Sequence, residues 1–196
     1  MNRNALVIVF IIFILALIYL FLSALPERED ISLLSSDSND NATAFYSDAL
    51  GFGFSYPSDY FITEHEVGTG ERLQYSIVLM PDTQENRDLV AGTLPPREAP
   101  PIITIGIFQN NLDGHTTEEW IQGTSFSNFK LSDEVLKVVT VGGTSGLRYN
   151  TTGLYENDNI VVALPSEVYM FTVSYLTEGD EIRDIFENIV RSVTFK

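Results

Sequence analysis

The first part of the chain is dominated by one unbroken run of apolar side chains. Ala5 to Leu22 are 18 consecutive apolar positions, which as an α-helix would rise about 27 Å, against roughly 30 Å for the hydrocarbon core of a bilayer. Continuing the run through Leu25 closes the remaining gap. The pattern predicts a transmembrane anchor over residues 1–25, with the membrane as its partner.

A cleaved secretory signal peptide is the alternative interpretation of this segment. Signal peptides have an apolar region of about 7–15 residues followed by a small-x-small cleavage site. Here the run is longer, and cleavage after Ala24 places bulky Leu22 at the third position back. Arg3 precedes the helix and acidic residues follow it from Glu27, which favours a cytoplasmic N-terminus. We expect a retained single-pass signal-anchor in the cell membrane, with the C-terminal domain extracytoplasmic.

Short apolar and aromatic runs replace this pattern further along the chain. Residues 26–43 are polar, small and turn-prone, which predicts a flexible acidic tether. From there, alternation at Phe52, Phe54 and Tyr56 predicts a strand, and the turn residues 57–59 predict a hairpin with a second strand at 60–63. Further strands are predicted at 73–79, 102–108, 136–141, 146–149, 160–164 and 168–175, most of them separated by turns such as 112–114, 142–143 and 156–159.

Two segments have helical rather than strand patterns. Thr116 and Glu119 have the spacing of a capping box, which predicts a short helix through Trp120 and Ile121. Near the C-terminus the apolar residues form one helical stripe. Its members are Ile182, Ile185, Phe186, Ile189, Val190 and Val193. A helix of this kind must bury its stripe against the sheet.

Residues 81–101 contain five of the eight prolines and show no regular pattern. A loop of this length is unusual in a compact domain and is typical either of disorder or of a binding loop. Together the patterns predict an α+β fold over residues 44–196, in which a mostly antiparallel β-sheet packs with helices. This domain follows the N-terminal transmembrane helix.

Several local motifs resemble those of the PsbP and DcrB-like family of extracytoplasmic α/β sandwiches. They are the GF-x-F-x-YP pattern at 51–57, the tryptophan-bearing helix, the Gly142-Gly143 turn before a strand and the ending at 185–195. The resemblance implies a non-catalytic accessory or binding domain tethered to a membrane. The usual bacterial members are tethered by a lipid on cysteine, which is missing here, and nothing matches the residues with which photosynthetic members engage photosystem II.

Composition removes several classes of function. The chain has 27 acidic and 11 basic side chains and a net charge of −16, and such a field repels phosphate backbones, so we expect no nucleic-acid partner. The chain has no cysteine, which excludes disulfides, thiolate nucleophiles and cysteine-ligated metals. An acidic docking face is the alternative to a charge that only keeps the surface soluble.

Candidate catalytic residues are few. His65 and His115 are the only histidines, and both lie near predicted strand ends or turns where solvated histidines are common. The segment 142–146 has threonine where a nucleophile elbow has serine. Glu118 and Glu119 are explained by the helix N-terminus that they follow. We therefore expect no catalytic, cofactor-binding or metal-binding residues and no cofactor.

Two further motifs give weaker signals. Residues 37–48 place oxygen ligands at calcium-loop positions, but Ala42 stands where glycine is needed and Asp48 where a bidentate glutamate is usual. Asn41 and Asn150 each begin a glycosylation acceptor pattern.

We expect an accessory domain that binds an envelope protein or a small ligand. The alternatives are an envelope enzyme with a site built from sequence-distant residues, and a purely structural envelope protein.

Overall fold

The computed structural model describes residues 41–68, 74–95 and 97–196. The predicted anchor at 1–25, residues 26–40 of the predicted tether and residues 37–40 of the candidate calcium loop lie outside these described residues. Within them, no helix has both the length and the apolar character needed to cross a bilayer. The first strand begins at Ala42, two residues before the predicted start of the domain.

Antiparallel strands form two sheets in the described part of the chain. The strands are β1 (Ala42–Ser47), β2 (Phe52–Pro57), β3 (Tyr60–Val67), β4 (Gln74–Pro81), β5 (Ile103–Gln109), β6 (Lys137–Val141), β7 (Thr144–Thr152), β8 (Glu156–Ala163), β9 (Glu167–Tyr175) and β10 (Thr194–Phe195). Their order is β1-β2-β10 in the smaller sheet and β3-β4-β5-β9-β8-β7-β6 in the larger. The predicted mostly antiparallel fold is confirmed.

Three α-helices and one 3-10 helix accompany the sheets among the described residues. The α-helices are α1 (Gln84–Val90), α2 (Thr117–Gly123) and α3 (Glu181–Ser192), and the 3-10 helix is Phe129–Leu131. The helices α2 and α3 were both expected from their patterns. The predicted stripe of α3 is buried at Ile182, Phe186, Ile189 and Val190.

Three local predictions were wrong. The segment 81–101 contains α1, which has no apolar stripe and is held by its N-cap, where the Asn86 N–H donates to Thr83 Oγ1 over 3.2 Å. The strands β2 and β3 do not form a hairpin, because β2 pairs with β1 and β10 whereas β3 pairs with β4. Residues 156–159 form the start of β8 rather than a turn.

The two faces of the larger sheet bury different side chains, because successive strand residues point to opposite sides. In β5, Ile103, Ile105 and Ile107 enter the main core, which also contains Phe52 of β2 and Phe186 of α3. The other face carries a smaller core around Phe108, Trp120, Ile121 and Tyr149. The fold is therefore a layered sandwich with the larger sheet in the middle.

Candidate functional site

The face of the larger sheet that carries the smaller core is only partly covered. At one end, α2 packs against β7 and β8 and buries Ile121 completely. Away from α2, the same face carries polar side chains such as Thr104 and Thr172, which are half-buried. Two connected cavities form where the helical cover ends.

The first cavity, of about 450 Å³, lies where α2 meets the start of β4 and the end of β5. Three aromatic rings line it: Phe108 from β5, Trp120 from α2 and Phe126 from the following loop. The Phe108 ring centroid lies 4.8 Å from that of Trp120 and 4.9 Å from that of Phe126. We call this cavity the aromatic pocket.

The loop after α2 is fixed by buried hydrogen bonds that leave Phe126 at the surface. The hydroxyl of buried Ser127 donates to the Ile121 carbonyl over 2.6 Å, and the Tyr149 hydroxyl donates to the Ser127 carbonyl over 2.8 Å. Burial raises the pKa of the Tyr149 phenol, which keeps it a neutral donor. Beside these fixed groups, Phe126 is 53% exposed.

The position of Trp120 depends on the capping box of α2. The Thr116 N–H donates to Glu119 Oε2 over 2.9 Å, and the Glu119 N–H donates to Thr116 Oγ1 over 3.3 Å. The box starts the helix at Thr117, so that Trp120 and Ile121 face the sheet. The bonds from the Thr116 backbone and hydroxyl, with His115 nearby, lower the pKa of Glu119 below its usual value.

Polar side chains form the rim of the aromatic pocket. They are Gln74, Gln109, Asp113, His115, Glu119 and Thr124. The backbone of His115 is held by Asn110, whose amide donates to the His115 carbonyl over 3.0 Å and accepts from the His115 N–H over 2.9 Å. Glu119 is engaged by the cap, and Gln109 and Asp113 also have interactions of their own. In the described part of the chain, no three acidic or histidine side chains are grouped to hold a metal.

The second cavity, of about 250 Å³, continues from the aromatic pocket over the open sheet face. Its lining includes Gln74, Ser76, Thr104, Gly106, Phe108, Phe126, Asn128, Thr151, Asn157, Asn159, Met170 and Thr172. Hydroxyls and amides predominate among these side chains. We call it the polar groove.

The residues considered as catalytic candidates lie in different parts of the domain. His115 and Glu119 line one pocket, together with Asp113 from the predicted turn at 112–114. His65 is exposed on β3 opposite Ser76 and lines neither cavity. The segment 142–146 forms the β6–β7 turn and the start of β7, as predicted.

The described residues of the candidate calcium loop and of the two glycosylation patterns lie at defined positions in the domain. Asp48 accepts a hydrogen bond from the Tyr46 hydroxyl over 3.2 Å and pairs with Lys196. Asn41 is exposed at the turn before β1. Asn150 lies within β7 and its amide donates to Asp158, so its nitrogen is already engaged.

Phe126 and the polar groove were not predicted from the sequence. Phe126 lies among glycine, threonine and serine in a segment with no period. A large exposed aromatic residue in such a segment is the one local signal that could have suggested a binding surface.

Comparison with known proteins supports the fold. No family model matches the sequence, and no curated protein matches it. The structure matches the solution structure of cyanobacterial PsbP (CyanoP) from Synechocystis sp. PCC 6803, with a TM-score of 0.51 and 10% identity, over 80% of this chain and 93% of that chain. The domain has a PsbP-like fold. This finding confirms the resemblance inferred from the sequence, as a likeness of fold.

A second match extends over part of a larger protein. The PsbP-like domain matches a crystal structure from Bacteroides thetaiotaomicron VPI-5482 with a TM-score of 0.45 and 12% identity, over 80% of this chain and 49% of that chain. The present chain thus spans about half the length of that protein. At these identities the comparisons show only a shared fold. The role of the aromatic pocket must therefore be argued from its own side chains.

Proposed function

We propose that this chain is a membrane-anchored, extracytoplasmic domain that binds a small ligand without catalysing a reaction. The apolar run at 5–22 and the acidic residues that follow it support the anchor and its orientation. The PsbP-like fold is compatible with an accessory role. The observation that carries the binding function is the aromatic pocket.

The pocket has the size and lining of a ligand site. Its volume of about 450 Å³ lies within the roughly 300–1,000 Å³ usual for small-molecule sites, which combine apolar walls with a few polar groups. The partly exposed ring of Phe126 packs against Phe108, which in turn packs against Trp120. A ligand that covers this ring removes apolar surface from water, which supplies binding free energy.

The charge of the described residues disfavours an anionic ligand. The described lining of the aromatic pocket contains Asp113 and Glu119 but neither lysine nor arginine. The whole chain carries −16, so an approaching anion is repelled at long range as well. The expected ligand is neutral or cationic.

A second candidate function is an enzyme that uses general acid–base chemistry. It is favoured by one observation, that His115 lies in the same pocket as Asp113 and Glu119. Against it, His115 is exposed and the carboxylate of Glu119 accepts from Thr116. Turnover of a pocket-bound compound that His115→Ala abolishes would favour the enzyme over the binding domain.

Replacing Phe126 should weaken ligand binding. Phe126→Ala removes the exposed ring from the pocket wall, and we expect a loss of affinity of about 10- to 100-fold because aromatic burial of this kind contributes roughly 1.5–3 kcal/mol. Trp120 is the only tryptophan of the chain, so its fluorescence reports on the pocket during titration with a library of neutral and cationic aromatic fragments. Leu154→Ala is the control, since Leu154 is 77% exposed and lines neither cavity. If no fragment saturates the fluorescence change, the pocket is not a site for aromatic ligands.

Removing residues 2–25 should release the protein from the membrane. The full chain is expected to remain in the membrane fraction after carbonate extraction, whereas the truncated chain should become soluble because it lacks the apolar run. In right-side-out vesicles, added protease should digest the C-terminal domain of the full chain. If N-terminal sequencing shows that the mature protein begins near Leu25, the segment is cleaved and the protein is secreted.

A further inference from the structure

We infer that the ligand is a neutral saccharide that stacks on the aromatic pocket and extends along the polar groove. This inference rests on the proposed binding function and specifies its ligand class. Three properties of the described residues carry it: the continuity of the two cavities, the uncharged floor of the groove and the arrangement of its hydroxyl groups.

The aromatic pocket and the polar groove form one continuous surface. Gln74, Phe108 and Phe126 line both cavities. Gly106 lines the polar groove beside Phe108, and an added Cβ there would come within 3.0 Å of the Phe108 ring. The absence of a side chain at Gly106 therefore leaves room for the Phe108 ring, which lines both cavities. A ligand can rest one ring on Phe126 and continue over the sheet.

The groove suits an uncharged ligand. Every described residue of its lining is uncharged, and hydroxyl or amide side chains outnumber the apolar ones. A purely apolar ligand would displace water from these polar groups without replacing its hydrogen bonds, at a free-energy cost. A charged ligand would find no counter-charge among these described lining residues.

The hydroxyl groups are arranged in a row across neighbouring strands. Thr104 pairs directly with Thr172, and Thr172 with Asn159, so the row spans about 10 Å at the usual strand spacing. The Thr172 hydroxyl donates to Asn159 Oδ1 over 2.9 Å, and the Asn159 amide donates to Thr151 Oγ1 over 3.2 Å. The Thr172 oxygen is thereby left as an acceptor and the Thr151 hydroxyl as a donor. Such fixed donors and acceptors suit the hydroxyls of successive sugar rings.

The position of the groove favours a saccharide over a peptide. It lies in the middle of the larger sheet, where the backbone groups of β5, β8 and β9 are already used in ladders on both sides. A peptide that binds as an added strand needs the free backbone groups of a sheet edge. Most of the described lining residues offer side-chain hydroxyls and amides, and the exposed part of the Phe126 ring is a surface on which the C–H face of a sugar ring can stack.

Removing two hydroxyls from the groove floor tests the inference. The full chain is titrated with maltotriose, cellotriose and triacetylchitotriose, and Trp120 fluorescence and calorimetry record binding. At least one trisaccharide should bind saturably, and Ser76→Ala combined with Thr104→Val should weaken it about tenfold, because each lost hydrogen bond costs a few-fold in affinity. Thr140→Val serves as the control, since Thr140 lines neither cavity. Asn128→Gly removes a groove amide while keeping the left-handed backbone at φ 52°, and it replaces the double variant if that does not fold.

The outcomes separate this inference from the proposed function. Binding of aromatic fragments together with failure of all three trisaccharides overturns the saccharide and leaves the pocket as a ligand site. Saccharide binding that both groove variants leave unchanged overturns the groove as the binding surface. Failure of fragments and saccharides alike overturns the proposed function and the inference with it.

Discussion

Replacing Asp158 with asparagine should destabilise the domain by about 3–5 kcal/mol, because breaking a buried ion pair from one side leaves its partner charge uncompensated. Asp158 is only 2% exposed. Its Oδ2 accepts from Arg148 Nη2 over 2.9 Å and from Arg183 Nη2 over 3.0 Å, and its Oδ1 accepts from the Asn150 amide. The substitution removes the one negative charge that the two guanidinium groups share.

The two arginines are not equally dependent on Asp158. Arg148 keeps a second partner, Glu187 of α3, at 2.6 Å. Arg183 keeps a bond to the Glu178 carbonyl and lies 4.5 Å above the Tyr175 ring, but its buried Nε already has no hydrogen-bond partner in the described structure. We therefore expect most of the cost to arise at Arg183, where α3 begins.

Urea unfolding followed by Trp120 fluorescence measures this effect, since Trp120 is buried and is the only tryptophan. Asp184→Asn is the matched control: Asp184 is exposed in the first turn of α3 and should cost less than about 1 kcal/mol. A loss below about 1 kcal/mol for Asp158→Asn would show that the buried carboxylate does not stabilise this end of α3.

The same aspartate shows why the start of β8, residues 156–159, was mistaken for a turn. Glu156, Asn157, Asp158 and Asn159 form a polar run that is typical of turns when it is considered alone. Asp158 is buried only because Arg148 of β7 and Arg183 of α3 reach it. Partners so distant in sequence cannot be inferred from local composition.

The helices show which local signals are sufficient. The α3 stripe could be predicted because burial of one helical face imposes a period on the sequence. The α2 box could be predicted because its two groups lie three residues apart. Helix α1 has no buried apolar stripe, and its five flanking prolines suggested a loop. It is held instead by the Thr83 cap and by the Arg87–Asp82 ion pair at 2.5 Å. These polar contacts produce no apolar period in the sequence.

The candidate site was less predictable than the fold. Trp120 was placed correctly on a helix, but Phe108 was expected only as a strand residue and Phe126 was not singled out. Their meeting depends on the order β4-β5-β9-β8 in the sheet, which alternation along single strands does not specify. The groove likewise depends on register, because Thr104 and Asn159 face the same cavity only when both pair with Thr172.

Replacing Phe186 with alanine should cost about 3–5 kcal/mol, as expected for a large aromatic side chain removed from a core. Phe186 is fully buried on the face of α3 that packs against β2 and β9. It lies in the same core as Phe52 of the smaller sheet and Phe171 of the larger one. The loss therefore weakens the attachment of both sheets to α3.

The same substitution at Phe126 is the matched control for this effect. Phe126→Ala should cost less than about 1 kcal/mol in urea unfolding, since much of that ring is exposed and little apolar area is lost. Domains of this size are stable by only about 5–15 kcal/mol, so the expected loss is a large fraction of the total stability. Phe186→Ala should also speed hydrogen exchange in β2 and β10 more than in β7 and β8, because the smaller sheet packs against α3 through β2. Equal protection changes in all four strands would show instead that the two sheets unfold as one unit.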